Sequence, residues 1–133
     1  MSDEPLNRPP AKPKLSRPMR DLLLLMPHLP MRDQGDIDYA TANPDVLVDI
    51  ARNSDITLRT VHLGTAAIGE LLAHASPEIG TGEFPANTIE AIGWLLAELG
   101  DVAATAHLLL AGCQRFTSDY APRQAKHVPP ARP

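Results

Sequence analysis

The segment AIGWLLAELGDVAATAHLLLAGCQRF, residues 91–116, constrains the fold more than any other part of the chain. Its only formal charges are Glu98, Asp101 and Arg115, and its other residues are almost all aliphatic or small. Apolar residues recur through it at intervals of three and four, which is the pattern of a long α-helix. A helix this apolar has to be buried against something, and the rest of the sequence limits what that is.

The main apolar seam of this helix runs from Ile92 to Tyr120 in alternating steps of three and four, as in a coiled coil. Further apolar or small residues stand outside the seam, at positions that would face water if the helix had only one neighbour. We therefore expect a second contact surface. The residues predicted to form it are Trp94, Ala97, Gly100, Ala104, Leu108 and Ala111.

An earlier segment predicts a second long helix, over about 44–75. Asn43 is a favourable N-cap, and Pro44 suits the first helical position. Ser76-Pro77 is expected to end the helix, because the residue before a proline disfavours the α conformation. Residues 53–55, Asn-Ser-Asp, could break and recap it, so one helix, straight or kinked, and two shorter helices both stay open, with one helix favoured.

The apolar segment itself belongs to a helix predicted over about 87–120. Asn87 and Glu90 have the spacing of a capping box, and Pro122 ends the pattern. Residues 76–86 hold two prolines and two glycines and are predicted as a loop. The predicted fold class is therefore all-α, a long antiparallel helical hairpin. We expect it to dimerise into a four-helix bundle, since two-fold dimers are the commonest way to cover such a surface.

Charge and proline divide the chain into three regions. Residues 37–121 hold eleven acidic residues against three arginines, and the flanking regions hold eleven of the fourteen prolines. We predict a flexible Pro-rich arm over 1–36, an acidic helical domain over 37–121 and a basic tail over 122–133. The arm contains an apolar run at 22–29 that packs on the body, docks into a partner or has no specific role. The candidate docking residues are Leu22, Leu23, Leu24, Leu25, Met26 and Leu29.

Composition also limits location and partners. The longest uncharged run of the apolar segment, residues 102–114, is thirteen residues long, whereas a membrane helix needs about 20. The Pro-rich start does not resemble a secretory signal, and the single Cys113 fits a reducing compartment. We expect a cytoplasmic protein that does not enter a membrane. Its acidic body makes nucleic acid an unexpected partner, except through the tails.

Few residues point to chemistry. Glu98 and Asp101 resemble one half of the Mg²⁺-binding motif of MazG-type nucleotide pyrophosphohydrolases, but the upstream Glu-x-x-Glu half is missing. His62, Glu70 and His74 share one helix side without a known metal-binding motif. His107 and Cys113 are interpreted as packing residues. We therefore predict no catalytic residue, no cofactor and no metal site.

The layout resembles small two-helix proteins of phages and bacterial mobile elements, in arrangement rather than in any motif. The predicted function is a non-catalytic interaction or regulatory module, a homodimer that engages another protein through its acidic surface or its arm. A narrower version is an inhibitor, anti-CRISPR-like or anti-restriction-like, whose acids occupy a partner's nucleic-acid groove. The alternatives are a Mg²⁺-dependent nucleotide pyrophosphohydrolase using Glu98 and Asp101, and a DNA-binding regulator that uses its tails.

Overall fold

The computed structural model describes residues 16–121, and over these residues the protein is helical with no strand. The predicted all-α fold class is confirmed. Two long helices dominate, preceded by a short helix with a 3₁₀ turn and separated by a second short helix. In chain order the elements are α1 (Pro18–Leu25), the 3₁₀ turn (Met26–His28), α2 (Pro44–His74), α3 (Ser76–Gly80) and α4 (Ala86–Thr117).

Helix α2 is one continuous helix of 31 residues, so residues 53–55 do not interrupt it. It begins as predicted, because the side chain of Asn43 accepts a hydrogen bond from the backbone N–H of Asp45 at 2.9 Å. Inside the helix, the Asn53 side chain donates to the backbone oxygen of Asp49 at 3.0 Å. Its amide is therefore satisfied by the helix itself and does not start a new one.

Helix α4 begins one residue earlier than predicted and in a different way. Pro85 is the N-cap, and no side chain caps the helix. The capping box predicted from Asn87 and Glu90 is therefore wrong, since Asn87 already lies inside the first turn. The helix also ends at Thr117 and not near Tyr120.

The connection between the two long helices is not entirely loop, as was predicted for residues 76–86. Ser76-Pro77 opens the five-residue helix α3, because proline is well tolerated in a first helical turn. Gly82 then adopts a φ of +81°, in the left-handed region that glycine enters most readily. Ser76-Pro77 therefore marks the end of α2, as predicted, and also the start of α3.

Helix α4 packs against α2. Leu47 and Ile50, near the start of α2, share one core cluster with Leu109 and Cys113, near the end of α4. The side chains in this cluster follow the 3-4 spacing of the two predicted seams.

The core is concentrated at the end of the helix pair where α2 begins and α4 ends. There α1 and residues 29–42 add a further layer over the two long helices. The Tyr39 ring stacks on Phe116 with ring centroids 5.6 Å apart, and the Tyr120 hydroxyl donates to the Asp45 carboxylate. The buried cluster consists of Leu22, Leu29, Ala42, Leu47, Ile50, Leu109 and Cys113.

The predicted flexible arm is therefore folded from residue 18 onward, and it packs on its own body. Leu22 and Leu29 are buried, and Leu25 and Met26 pack against the core. Leu23 and Leu24 instead stay 67% and 64% exposed. The sequence did not predict this helix because eight residues are too few to be helical on their own propensity, so its stability comes from tertiary contacts. The rest of the arm, residues 1–15, and the predicted tail, residues 122–133, lie outside the described residues.

Candidate functional site

Two grooves run along α4, on either side of its buried face. We call the first the open groove. It lies between α2 and α4 and has a volume of about 720 Å³. Its lining residues are Leu58, Val61, His62, Thr65, Ala66, Leu96, Gly100, Ala103, Ala104 and His107.

The second, the α1 groove, lies between α1 and α4 and has a volume of about 300 Å³. At about 100° per residue, the α4 residues that line the two grooves point to different sides of the helix. The two grooves therefore open on different sides of α4. The lining residues of the α1 groove are Met19, Leu22, Leu23, Met26, Thr57, Glu98, Asp101, Val102, Thr105, Ala106 and Leu109.

The open groove carries no formal charge. None of its ten lining residues is Asp, Glu, Lys or Arg, although these four make up 21% of the chain. Its side-chain polar atoms come from the imidazoles of His62 and His107 and the hydroxyl of Thr65. Three of its lining residues, Ala66, Gly100 and Ala104, have a methyl side chain or none. Small residues at a contact let a neighbouring helix approach closely. This groove is therefore suited to protein contact.

The residues predicted for the second contact surface are divided by the structure. Gly100 and Ala104 line the open groove, while the other four do not. Trp94 and Leu108 are 66% and 71% exposed, and the Trp94 indole N–H lies 3.5 Å from a Glu90 carboxylate oxygen. Ala97 and Ala111 are exposed as well.

Sequence reasoning missed the contribution of α2 to this surface. Leu58, His62 and Ala66 form the wall opposite α4. The available signal was the row His62, Ala66, Gly69 and Ala73, which recurs at three- and four-residue intervals beside the α2 seam. This row is less apolar than the surface of α4 and therefore gives a weaker signal.

Few residues of α4 are fully buried. In its most apolar window of 18 residues, where the mean hydropathy is 1.4, 17% of the residues are buried. Within residues 16–121, α4 is the one helix long and apolar enough to cross a membrane by length and composition alone. Long core helices of soluble proteins have the same property, so this finding by itself is weak support for a membrane span.

The α1 groove combines an apolar floor with polar groups. Thr57 is only 1% exposed, and its hydroxyl has no hydrogen-bond partner among the described residues. Threonines in helices often donate to the carbonyl four residues earlier, as Thr60 and Thr117 do here. An unpaired buried hydroxyl costs about 1–3 kcal/mol. Ser54, fully buried and also unpaired, is the only other such side chain in the described part of the chain.

The structure does not bring together a metal site in the described range, since no three His, Cys, Asp or Glu side chains cluster there. Glu98 and Asp101 line the α1 groove, and no other acidic residue is among its lining residues. His62 and His107 face the open groove from two different helices. Glu70 and His74 are exposed on α2 and line neither groove.

Cys113 lies fully buried in the core. Burial raises the pKa of its thiol from 9.0 to about 11, because desolvation disfavours the thiolate. Burial, and secondarily Cys113, also raises the pKa of Tyr39. At neutral pH the Cys113 side chain is therefore a protonated thiol that packs, and not an activated nucleophile.

Comparison with known proteins does not assign the chain to a family. No protein-family model matches the chain. Searches against curated proteins and against solved structures find no significant match. The two grooves and the residues that line them are therefore the features from which a function is inferred.

Proposed function

We propose that this chain is a non-catalytic protein–protein interaction module that acts as a homodimer. In this proposal the helical hairpin of α2 and α4 pairs with a second copy through the open groove. The two hairpins together form a four-helix bundle with two-fold symmetry. The observation that carries the proposal is the uncharged groove beside a helix in whose most apolar window only 17% of the residues are buried.

The dimensions of the helix pair support a stable interface. Helices α2 and α4 have 31 and 32 residues, so each is about 45 Å long at 1.5 Å per residue. Two adjacent helices present a face about 20 Å wide, or roughly 900 Å² in area. Each partner of a standard protein interface buries about 800 Å². A second copy laid along the open groove would therefore cover enough surface to dimerise.

The position of α1 supports the choice of this groove. α1 contributes Met19, Leu22, Leu23 and Met26 to the groove on the other side of α4, and none of its residues lines the open groove. Among residues 16–121, α1 thus covers part of one side of the helix pair and does not reach the open groove. We propose that the second copy binds on the side that α1 does not reach.

Acidic residues favour protein over lipid as the neighbour of α4. Glu98 and Asp101 both lie within the helix, and a charged residue at the bilayer centre costs about 2.5–3.5 kcal/mol on insertion scales. Neither lines the open groove, so a protein neighbour there can leave both carboxylates in water. We accordingly propose a cytoplasmic dimer.

The same placement leaves the acidic surface available to another protein. No acidic residue lines the open groove, so dimerisation there does not bury the acidic side chains of residues 37–121 that lie elsewhere. The inhibitor hypothesis is a narrower form of this proposal that rests on charge alone. The Mg²⁺-dependent hydrolase requires metal ligands beyond Glu98 and Asp101, and the DNA-binding alternative depends on the tails.

A pair of neighbouring alanines on α2 tests the proposal. Ala66 lines the open groove and Ala67 does not, although both are exposed. The variant Ala66→Glu places a carboxylate in the proposed interface and should yield monomers in sedimentation velocity. Ala67→Glu makes the same chemical change about 100° around the helix and should leave the dimer intact. If both variants sediment as the unmodified protein does, the open groove is not the interface.

A further inference from the structure

We propose that the α1 groove binds an amphipathic, cationic helix of a partner protein. The inference deepens the proposed function, because it names the site and the chemistry of a heterologous partner. It rests on the role as an interaction module but does not require the homodimer. The two surfaces are separate, and no residue lines both grooves.

The floor of the groove fits apolar side chains of a helix. Leu22, Met26 and Leu109 form part of it, and Met19 and Leu23 stand at its edge with 40% and 67% exposure. Unbranched methionines adapt their shape to different apolar partners. In helix-in-groove recognition, residues at i, i+3, i+4 and i+7 of the ligand fill such a groove.

The α4 wall supplies negative charge. Glu98 and Asp101 are one helical turn apart, which brings their side chains to the same side of the helix. In the described part of the chain neither forms an ion pair, whereas Asp49 and Asp55 on α2 are each paired with an arginine. Lys or Arg beside the apolar stripe of a ligand helix would complement them.

Thr57 also lies in the floor of this groove. It lines the groove with a buried hydroxyl that no described residue satisfies. The groove thus offers an apolar floor and two carboxylates that pair with no described residue, which together match an amphipathic cation.

The lining favours a helix over a proline-rich segment. Polyproline ligands dock in grooves walled by aromatic rings, and this groove contains no aromatic residue. The basic, Pro-rich termini of the chain itself are therefore poorer occupants than a partner helix.

The test is a titration of the full-length protein with a fluorescein-labelled peptide of Leu and Lys, roughly 14 residues and four helical turns long. Fluorescence anisotropy should show saturable binding, and a Leu/Glu peptide of the same pattern should not bind. Glu98→Gln and Asp101→Asn should each weaken binding about threefold, the range of a partly exposed ion pair. Glu90→Gln and Asp119→Asn make the same charge changes outside the groove and should have no effect.

The apolar contact has its own matched pair. Leu23→Ser removes an exposed side chain of the groove, while Leu24→Ser removes an equally exposed neighbour that does not line it. Only the first should weaken binding. Equal losses from groove and control variants would mean general charge attraction and would overturn the proposal, as would the absence of binding. Light scattering on the same samples reports the dimer separately, so failure of the groove is distinguishable from failure of the proposed function.

Discussion

The contact between Tyr39 and Gly112 gives a sharp test of how residues 29–42 pack on α4. A Cβ atom added at Gly112 would lie 2.5 Å from both Cζ and Oη of Tyr39 and 2.9 Å from Cε2. These distances are well below van der Waals contact, so Gly112→Ala must displace the ring. The ring in turn stacks on Phe116, so its displacement also disturbs that pair.

The expected magnitude is the difference between two opposing effects. Alanine is favoured over glycine in a helix interior by about 1 kcal/mol, and overpacking typically costs about 1–3 kcal/mol. Gly112→Ala should therefore range from neutral to a loss of about 2 kcal/mol. Gly64 is the matched control, because it lies in α2 with nothing within 4 Å of an added Cβ. Gly64→Ala should gain up to about 1 kcal/mol.

Urea unfolding followed by circular dichroism measures both changes, at one fixed concentration because association shifts the midpoint. Repeating the measurement in a variant without the Tyr39 ring isolates the steric clash between that ring and the added Cβ. In Tyr39→Ala, the substitution Gly112→Ala should become as stabilising as Gly64→Ala, because the obstructing ring is gone. Equal stabilisation by the two alanines in the unmodified protein would refute the contact between Tyr39 and Gly112.

Two further predictions concern the core. Leu22→Ala should destabilise the protein by about 2–5 kcal/mol, while Leu24→Ala, in the same helix but exposed, should change stability by less than about 0.5 kcal/mol; equal effects in urea titrations would mean that α1 does not pack as described. Because burial raises the pKa of Cys113 from 9.0 to about 11, the unfolded chain loses this proton first, so stability is full below pH 9 and falls by about 2–3 kcal/mol as the pH rises to about 11. Cys113→Ala should remove most of this decline, and an unchanged pH dependence in that variant would contradict the assignment.

The long helices could be predicted because their signals are local and repeated. The cap at Asn43 and the seam from Leu47 to Val61 agree with each other, and the structure contains one continuous helix there. Propensity, capping and hydrophobic spacing all indicate the same element. At the start of α4 the local signal was misleading, because Asn87 and Glu90 have the spacing of a capping box while the structure has Pro85 as the N-cap.

The packing of α1 could not be predicted, because it is decided by tertiary contacts. Leu22 and Leu29 are buried while Leu23 and Leu24 are not, and a run of four leucines does not reveal which of its sides will face the core. The lining of the open groove also depends on tertiary contacts. Gly100 was identified from α4 alone, but Ala66 joins it only because α2 and α4 lie side by side in a particular register.

The central claim is that the open groove is covered by a second copy of the chain. The most direct measurement is the molar mass of the intact protein in solution, by light scattering coupled to size-exclusion chromatography. The chain has a mass of 14.4 kDa, and the dimer predicts twice this value for the unmodified protein and for Ala67→Glu, with Ala66→Glu falling to 14.4 kDa. A mass of 14.4 kDa for the unmodified protein across the accessible concentration range would contradict the proposal.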